Sequence, residues 1–216
     1  NATGSEEWNA RAAFLTPIIK AFGTEVGVRV AELGVQVHGG MGFIEETGVA
    51  QYQRDARIIT IYEGTTGIQG MDLTGRKLVR DMGKSIKLVL TEMHTELAAL
   101  SDDGELAGMK QSVLQGLKQV EEVARWIGEN VMKDMDIIGT AAFNFLMLNG
   151  TVFGAFYLVK SAAIANGESG DNAVFAASKQ ATAKFYCEHL LPRAEAYSKA
   201  VMSSPATTLG IDIDNL

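Results

Sequence analysis

Three short runs within residues 36–69 decide the fold and the function predicted for this chain: QVHGGMGF at residues 36–43, RDAR at residues 54–57 and IYEGTTGIQ at residues 61–69. The first run places two glycines after a helical apolar pattern, the second is a charged turn, and the third sets a lone acid beside a glycine. Core packing alone does not produce this combination, because glycines and charged residues bury little apolar surface. The stretch therefore predicts a functional site built on helix ends and turns.

The chain before this stretch has the hydrophobic spacing of one long helix. Thr16 followed by Pro17 has the form of an N-cap and a first-turn proline. Apolar residues then recur at intervals of three and four, namely Ile18, Phe22, Val26, Val30 and Leu33. The stripe stops at Gly39-Gly40, and glycine commonly ends a helix. We therefore predict a first helix from Thr16-Pro17 to this glycine pair.

The rest of the chain also predicts helices. One should cover residues 49–59, and another should begin at Thr65 or Thr66, either of which can cap it, and run to residue 79. Later helices are longer and are separated by short turn signals; they cover residues 84–101, 105–134, 136–166 and 170–203. Alternation typical of a strand is limited to a few residues around 58–62. Since short connections favour antiparallel neighbours, the predicted fold is all-α, an up-and-down helical bundle.

Composition and charge exclude several classes of function. The net charge of −7 and the absence of a basic stripe argue against nucleic-acid binding. The single cysteine, Cys187, excludes an intramolecular disulfide and suits a reducing compartment; we expect it to be a small buried residue. His94 and His189 lack a second ligand at a useful spacing, so no metal site is predicted.

The longest apolar tract covers residues 137–165. It is interrupted by polar residues such as Asn144, Asn149 and Lys160, so we predict a buried bundle helix and no membrane span. Its aromatic residues surround the helix and are predicted to be core; they are Phe143, Phe145, Phe153, Phe156 and Tyr157.

Glu63 is the candidate catalytic residue, and its sequence surroundings allow two interpretations. It precedes a predicted helix N-terminus, where backbone N–H groups and the helix dipole stabilise a carboxylate. Gly64 leaves room for a ligand against the backbone, and Ile61 and Tyr62 offer an apolar wall that would exclude water. A carboxylate in such a place can serve as a general base. The alternative is that Glu63 only caps the helix.

The three runs, with Glu46 and Asp55 at the expected spacing, closely resemble the C-terminal signature of the acyl-CoA dehydrogenases. These flavoenzymes oxidise an acyl-CoA thioester to its α,β-enoyl form. In the family the acid of the Ile-Tyr-Glu-Gly-Thr run is the base that removes the α-proton, while flavin N5 takes the β-hydride. The resemblance implies that Glu63 is this base and that Gly64 lies against the acyl-CoA.

The resemblance also implies an FAD site. The loop that ends the first helix is similar to a family loop that contacts the adenine-dinucleotide half of FAD in a neighbouring subunit; its residues are Gln36, Val37, His38, Gly39 and Gly40. Paired glycines let main-chain N–H groups face an anionic pyrophosphate. Residues that open the third helix approach FAD as well, namely Thr65, Thr66 and Gly67. Gly67 departs from the family pattern, which often has glutamine there. Arg54 and Asp55 are expected to form structural ion pairs that set the turn before Glu63.

The match covers residues 12–82, so we predict that residues 1–82 are the end of the family's C-terminal helical domain. Residues 83–216 resemble the long helical extension of members such as the 3-methylmercaptopropionyl-CoA dehydrogenase-like group. The family's N-terminal helical domain and middle β-domain have no counterpart here. The fragment is therefore expected to be inactive and to hold no FAD by itself. For the complete protein the resemblance implies an acyl-CoA substrate, electron-transfer flavoprotein as electron acceptor, and a homo-oligomer.

A second hypothesis is non-catalytic. The extension would be an oligomerisation or docking module of a flavoprotein, because its four long helices contain no acid, base or ligand cluster of their own. The chain opens with Asn1-Ala2 and shows no secretory signal. We expect an excised piece of a cytoplasmic protein, or of a mitochondrial matrix protein if the source is a eukaryote.

Overall fold

The computed structural model describes residues 6–215, and every regular element within that range is a helix. The α-helices of this part are α1 (Glu6–Val37), α2 (Gly40–Phe43), α3 (Val49–Ile58), α4 (Thr66–Met71), α5 (Lys84–Ala98), α6 (Gly104–Asn130), α7 (Ile137–Ala165), α8 (Ala173–His189), α9 (Arg193–Val201) and α10 (Pro205–Leu209). A π-helix, Asp72–Arg80, continues α4 directly. The all-α prediction is confirmed. The Asn1-Ala2 start lies outside the described residues.

The centre of the fold is α7. It packs against α1, α4, α6, α8 and α9, and most of its length is buried by these neighbours. By length and apolar composition alone, α7 also qualifies as a membrane span. The expectation that its polar residues exclude a span was therefore too strong, and burial inside the protein is what marks α7 as a core helix. Phe143 and Tyr157 are about half exposed, contrary to the prediction, because they lie on the same side of α7 as the exposed Ser161 and Ile164.

Two glycines allow α7 to approach its neighbours closely. A Cβ added at Gly150 of α7 would lie 2.2 Å from Cγ of Phe22 on α1. A Cβ added at Gly70 of α4 would lie 2.9 Å from the carbonyl oxygen of Ala142 on α7. Both distances are well below van der Waals contact, so a larger residue at either glycine would force the helices apart.

One hydrophobic core joins the two predicted segments. Phe14 of α1 and Leu73 of the π-helix belong to the same buried cluster as Leu117 of α6 and Phe145 of α7. Residues 83–216 therefore help to bury the apolar side chains of the first segment. The division into domains at residue 82 stays a prediction.

Helix α1 begins earlier than predicted and contains the proline that was expected to start it. Pro17 is buried inside α1, and Thr16 is not an N-cap, since its hydroxyl donates a hydrogen bond to the carbonyl oxygen of Ala12 at 2.6 Å. Proline in a helix interior removes one backbone hydrogen bond. Burial of Phe14 and Ile18 on the same side as Pro17 offsets that loss. Tertiary packing here overrides the local start signal.

The helix predicted over residues 170–203 is two helices. α8 ends at His189 and α9 begins at Arg193, with Pro192 between them, because proline has no N–H to continue the helical ladder. Cys187 of α8 is buried, as expected, and burial raises the pKa of its thiol to about 11. The protonated thiol is a poor nucleophile, which agrees with a packing role.

Replacing Gly150 with alanine should lower the free energy of unfolding by about 1–3 kcal/mol, because the added methyl group collides with Phe22. Gly108, in the second turn of α6, has open space around an added Cβ and is the matched control. Gly108→Ala should raise the free energy of unfolding by about 0.5–1 kcal/mol through helix propensity. Urea unfolding of both variants measures the difference, and equal effects of the two changes would contradict the packing described for α1 and α7.

Candidate active site

Glu63 lies midway along a short loop that joins α3 to α4. The loop is closed at its base by a hydrogen bond from the Thr66 N–H to the Thr60 carbonyl oxygen, at 3.3 Å. Thr60 is buried, and its hydroxyl accepts a hydrogen bond from Arg57 Nη1. The end of the loop on the α3 side is therefore fixed by burial and hydrogen bonding, while Glu63 itself is exposed.

The backbone at Glu63 is in the left-handed region. Its φ is 51°, and Gly64 follows with a φ of 103°. A positive φ suits glycine but is unfavourable for glutamate, and such strained residues concentrate at functional sites. The conformation therefore supports a functional hypothesis for this acid.

The interpretation that Glu63 caps α4 is wrong. Thr65 is the N-cap residue, and its hydroxyl oxygen accepts a hydrogen bond from the N–H of Ile68 at 3.3 Å. Of the two threonines that the sequence offered as caps, the structure uses Thr65. Glu63 lies two residues earlier and makes no capping hydrogen bond in the described part of the chain.

Three side chains that sequence reasoning missed contact this loop. Glu25 of α1 accepts a hydrogen bond from the Thr66 hydroxyl, with 2.5 Å between Thr66 Oγ1 and Glu25 Oε1. A Cβ added at Gly64 would lie 2.4 Å from Gln69 Nε2 and 3.5 Å from Lys20 Nζ. The backbone conformation therefore favours glycine at position 64, and a side chain there would displace the Gln69 amide. No local pattern identifies Glu25, because its bond to Thr66 joins residues that are 41 positions apart.

The apolar surroundings of Glu63 are open to solvent in this chain. Ile61 and Tyr62 are each about half exposed, so they do not by themselves exclude water as expected. They belong to a broad set of exposed apolar side chains on α1 to α4, which we call the apolar face: Val26, Val30, Leu33, Val37, Met41, Phe43, Ile44, Tyr52, Ile58, Ile61, Tyr62, Ile68 and Met71. Val26, Val30, Leu33 and Val37 share one side of α1 by their spacing, and exposed apolar patches commonly mark protein–protein interfaces.

The glycine loop lies at the far end of α1. His38 Nδ1 donates to the carbonyl oxygen of Gly34 at 2.8 Å, and the Gly39 N–H donates to Gln36 at 3.1 Å. Gly39 has a φ of 58°, and a Cβ added at Gly42 would lie 2.4 Å from the Val35 carbonyl oxygen. The backbone path here therefore depends on glycine.

The structure does not bring the glycine loop next to Glu63. Glu25 contacts the Glu63 loop through Thr66, whereas Gln36 lies further along the same helix. At a rise of 1.5 Å per residue, eleven residues of α1 place these two positions about 16 Å apart. The two parts of the predicted FAD site are thus separate within one chain.

The predicted ion pairs of Arg54 and Asp55 do not set the turn before Glu63. Arg54 Nη1 pairs with Glu45 Oε1 at 3.0 Å, and Asp55 accepts a weak hydrogen bond from Gln51 Nε2 at 3.4 Å. Both interactions stabilise the region around α3 instead. Within residues 6–215 no three potential metal ligands lie close enough together to hold a metal ion.

Two family models match this chain. The family described as "Acetyl-CoA dehydrogenase C-terminal like" matches residues 89–212, and "Acyl-CoA dehydrogenase, C-terminal domain" matches residues 4–78. The chain belongs to the acyl-CoA dehydrogenase family. The two matches leave residues 79–88 between them and together include the Glu63 loop, the glycine loop and most of the extension.

Individual relatives agree with this assignment. The 3-methylmercaptopropionyl-CoA dehydrogenase of Ruegeria pomeroyi is 40% identical over 191 residues, which are 86% of this chain and 32% of that protein. Subunit CarC of the caffeyl-CoA reductase–Etf complex of Acetobacterium woodii is 41% identical over 59 residues, 27% of this chain and 16% of that subunit. A crystal structure of an acyl-CoA dehydrogenase complexed with FAD from Bacillus anthracis has a TM-score of 0.70 and 24% identity, covering 91% of this chain and 35% of that one. This likeness confirms the fold.

The chain spans about a third of the Ruegeria pomeroyi relative, since 32% of that protein is covered. The activity, substrate and partners of the whole protein are therefore matters for proposal. The structural likeness extends over 91% of this chain and includes the extension.

Replacing Glu63 with glycine should stabilise the fold, because it removes the strain of a positive φ at a residue with a side chain. We expect the free energy of unfolding to rise by about 0.5–1 kcal/mol. The control is Glu46→Gly, at an exposed glutamate with negative φ. This change should lower the free energy of unfolding by about 0.5–1 kcal/mol. Thermal and urea unfolding of the 216-residue chain measure both; destabilisation by Glu63→Gly would show that Glu63 is not strained.

Proposed function

We propose that the complete protein is an FAD-dependent acyl-CoA dehydrogenase and that Glu63 is its catalytic base. The observation that carries the proposal is an exposed carboxylate held at positive φ, beside a glycine whose own positive φ disfavours a side chain. In the reaction, a C–H bond at the α-carbon of the thioester breaks and its proton passes to a Glu63 carboxylate oxygen. A C–H bond at the β-carbon breaks as hydride departs, and the α,β double bond forms from the remaining electron pair.

The loop supplies what proton abstraction from carbon requires. A thioester α-proton is weakly acidic, so the base must be close to it and shielded from water when the substrate is bound. Gly64 lets the acyl-CoA lie against the backbone next to Glu63. Ile61 and Tyr62, which precede Glu63 in the sequence as Gly64 follows it, provide apolar surface. We propose that the portion of the complete protein outside this chain closes the site against water.

The residues present fit FAD at the glycine loop. Gly39 and Gly40 are exposed, and an added Cβ at either would meet no atom within 4 Å, so a ligand can approach their backbone. We propose that the residues Gln36, Val37, His38, Gly39 and Gly40 contact the adenine-dinucleotide half of the cofactor in a neighbouring subunit. At the other end, Thr65, Thr66 and Gly67 are proposed contacts; the Thr66 hydroxyl already donates to Glu25 and its N–H to the Thr60 carbonyl oxygen, so a contact there would be accepted by the hydroxyl oxygen. Bound FAD would supply the acceptor for the β-hydride.

The partners follow from the same proposal. The proposed substrate is an acyl-CoA. Short methylthio acyl-CoAs are the first class to assay, because the relative from Ruegeria pomeroyi is named as a 3-methylmercaptopropionyl-CoA dehydrogenase. CarC is a subunit of a complex with Etf, which supports electron-transfer flavoprotein as the acceptor. A homo-oligomer in which each cofactor meets two subunits is proposed from the resemblance of the glycine loop to a family loop that contacts FAD in a neighbouring subunit.

Glu63→Gln in the full-length protein should lower kcat by about 100- to 10,000-fold, since glutamine keeps the shape but cannot accept the proton. FAD content should be unchanged. The control is Glu46→Gln, an exposed acid outside the loop, which should leave kcat unaltered. Dye reduction with short, branched and methylthio acyl-CoAs measures the rates, and undiminished turnover by Glu63→Gln would rule out the assignment.

The isolated 216-residue chain should be folded, colourless and inactive. It offers FAD a few hydrogen bonds at two separated places, and these must offset the translational and ordering costs of binding. We expect a dissociation constant no lower than about 1 mM. Circular dichroism and equilibrium dialysis with FAD provide the test, and co-purification of one flavin per chain would contradict the proposed division of the site.

A further inference from the structure

We propose that Glu25 is a positioning residue, which holds the catalytic loop in place through Thr66. The inference rests on the proposed role of Glu63 and adds a residue of α1 to that site. Glu25 does not touch the substrate in this scheme. Its function is to fix the end of the loop that carries the base.

The contact between Glu25 and Thr66 has the geometry of a charge-assisted hydrogen bond. The Thr66 hydroxyl donates to Glu25 Oε1 across 2.5 Å, in a partly buried position. Glu25 forms no salt bridge with the described lysine, arginine or histidine side chains, so Thr66 is its partner in this part of the molecule. An acid without a cation partner on a helix is expected to prefer solvent, yet this one faces the loop.

The bond controls one of the two ends of the loop. The end at Thr60 is fixed by burial and by its contacts with Arg57. The end at Thr66 is exposed or half exposed; it is tied to the Thr60 carbonyl oxygen through its N–H and to α1 through the hydroxyl bond to Glu25. Because Glu63 lies midway between these ends, a shift at Thr66 moves the carboxylate. Lys20 of α1 lies near Gly64, since a Cβ added there would be 3.5 Å from Lys20 Nζ.

Proton abstraction is sensitive to such a shift. Misplacement of a reacting group by about 1 Å can cost about 100-fold in rate. Loss of the tie should therefore lower kcat while the affinity for acyl-CoA, which depends on surfaces elsewhere, changes little. A residue that only stabilises the fold would change neither constant in protein that remains folded.

The test uses the full-length protein and five variants, one of which is Thr66→Val alone. Glu25→Ala should lower kcat by about 10- to 100-fold with KM and flavin content nearly unchanged. Glu25→Gln should stay within about twofold of the wild type, because its amide oxygen still accepts from Thr66. Combining Glu25→Ala with Thr66→Val should be no worse than the more damaging single change, since both remove the same bond. The control is Glu32→Ala, an exposed acid of α1 paired only with Arg29, which should have no effect.

A second readout does not require activity. In the 216-residue chain, hydrogen exchange of peptides that span residues 60–70 should be faster in Glu25→Ala than in the wild type and normal in Glu25→Gln. Exchange elsewhere in α1 and α7 should be unchanged, which also shows that the variant is folded.

The outcomes separate the two proposals. If Glu63→Gln loses activity but Glu25→Ala does not, the positioning role is wrong and the base is retained. If Glu25→Gln is as impaired as Glu25→Ala, the charge matters rather than the hydrogen bond, and the inference is overturned. If Glu63→Gln is fully active, the proposed function fails, and exchange at residues 60–70 still decides whether Glu25 orders the loop.

Discussion

Close packing of α7 against α1 and α4 is the constraint on which the rest of the structure depends. Gly150 and Gly70 bring the helices together at distances that no larger residue permits. α7 belongs to the extension, whereas α1 and α4 carry the candidate site. The extension is therefore part of what holds the site in place. This argues against a separate docking module, because helices whose inner faces complete a shared core are not free to act apart from it.

Helix α1 connects the two parts of the site and determines their spacing. The middle of α1 lies against the Glu63 loop near Lys20 and Glu25, and its C-terminal end leads into the glycine loop at Gln36. A single helix of this kind keeps the two places about 16 Å apart. The length of one helix therefore sets the distance between the two regions proposed to contact FAD.

The sequence predicted the features that depend on local signals. Apolar spacing identified the helices, and the glycine and threonine neighbours of Glu63 identified a turn that ends at a helix cap. It did not predict that α1 continues through Pro17, because burial of Phe14 in the shared core decides that point. The sequence did not predict a role for Glu25 either, because the residues near position 25 do not indicate which turn packs against that side of α1.

The backbone at Glu63 indicates what this site is for. A chain selected for stability alone would place glycine or asparagine at a left-handed position, and here the strain is retained at a glutamate although Thr65 already caps the helix. The acid is exposed, and Ile61 and Tyr62 just before it belong to the apolar face. Protein that covers these two residues would also exclude water from the acid, as the abstraction of a proton from carbon requires.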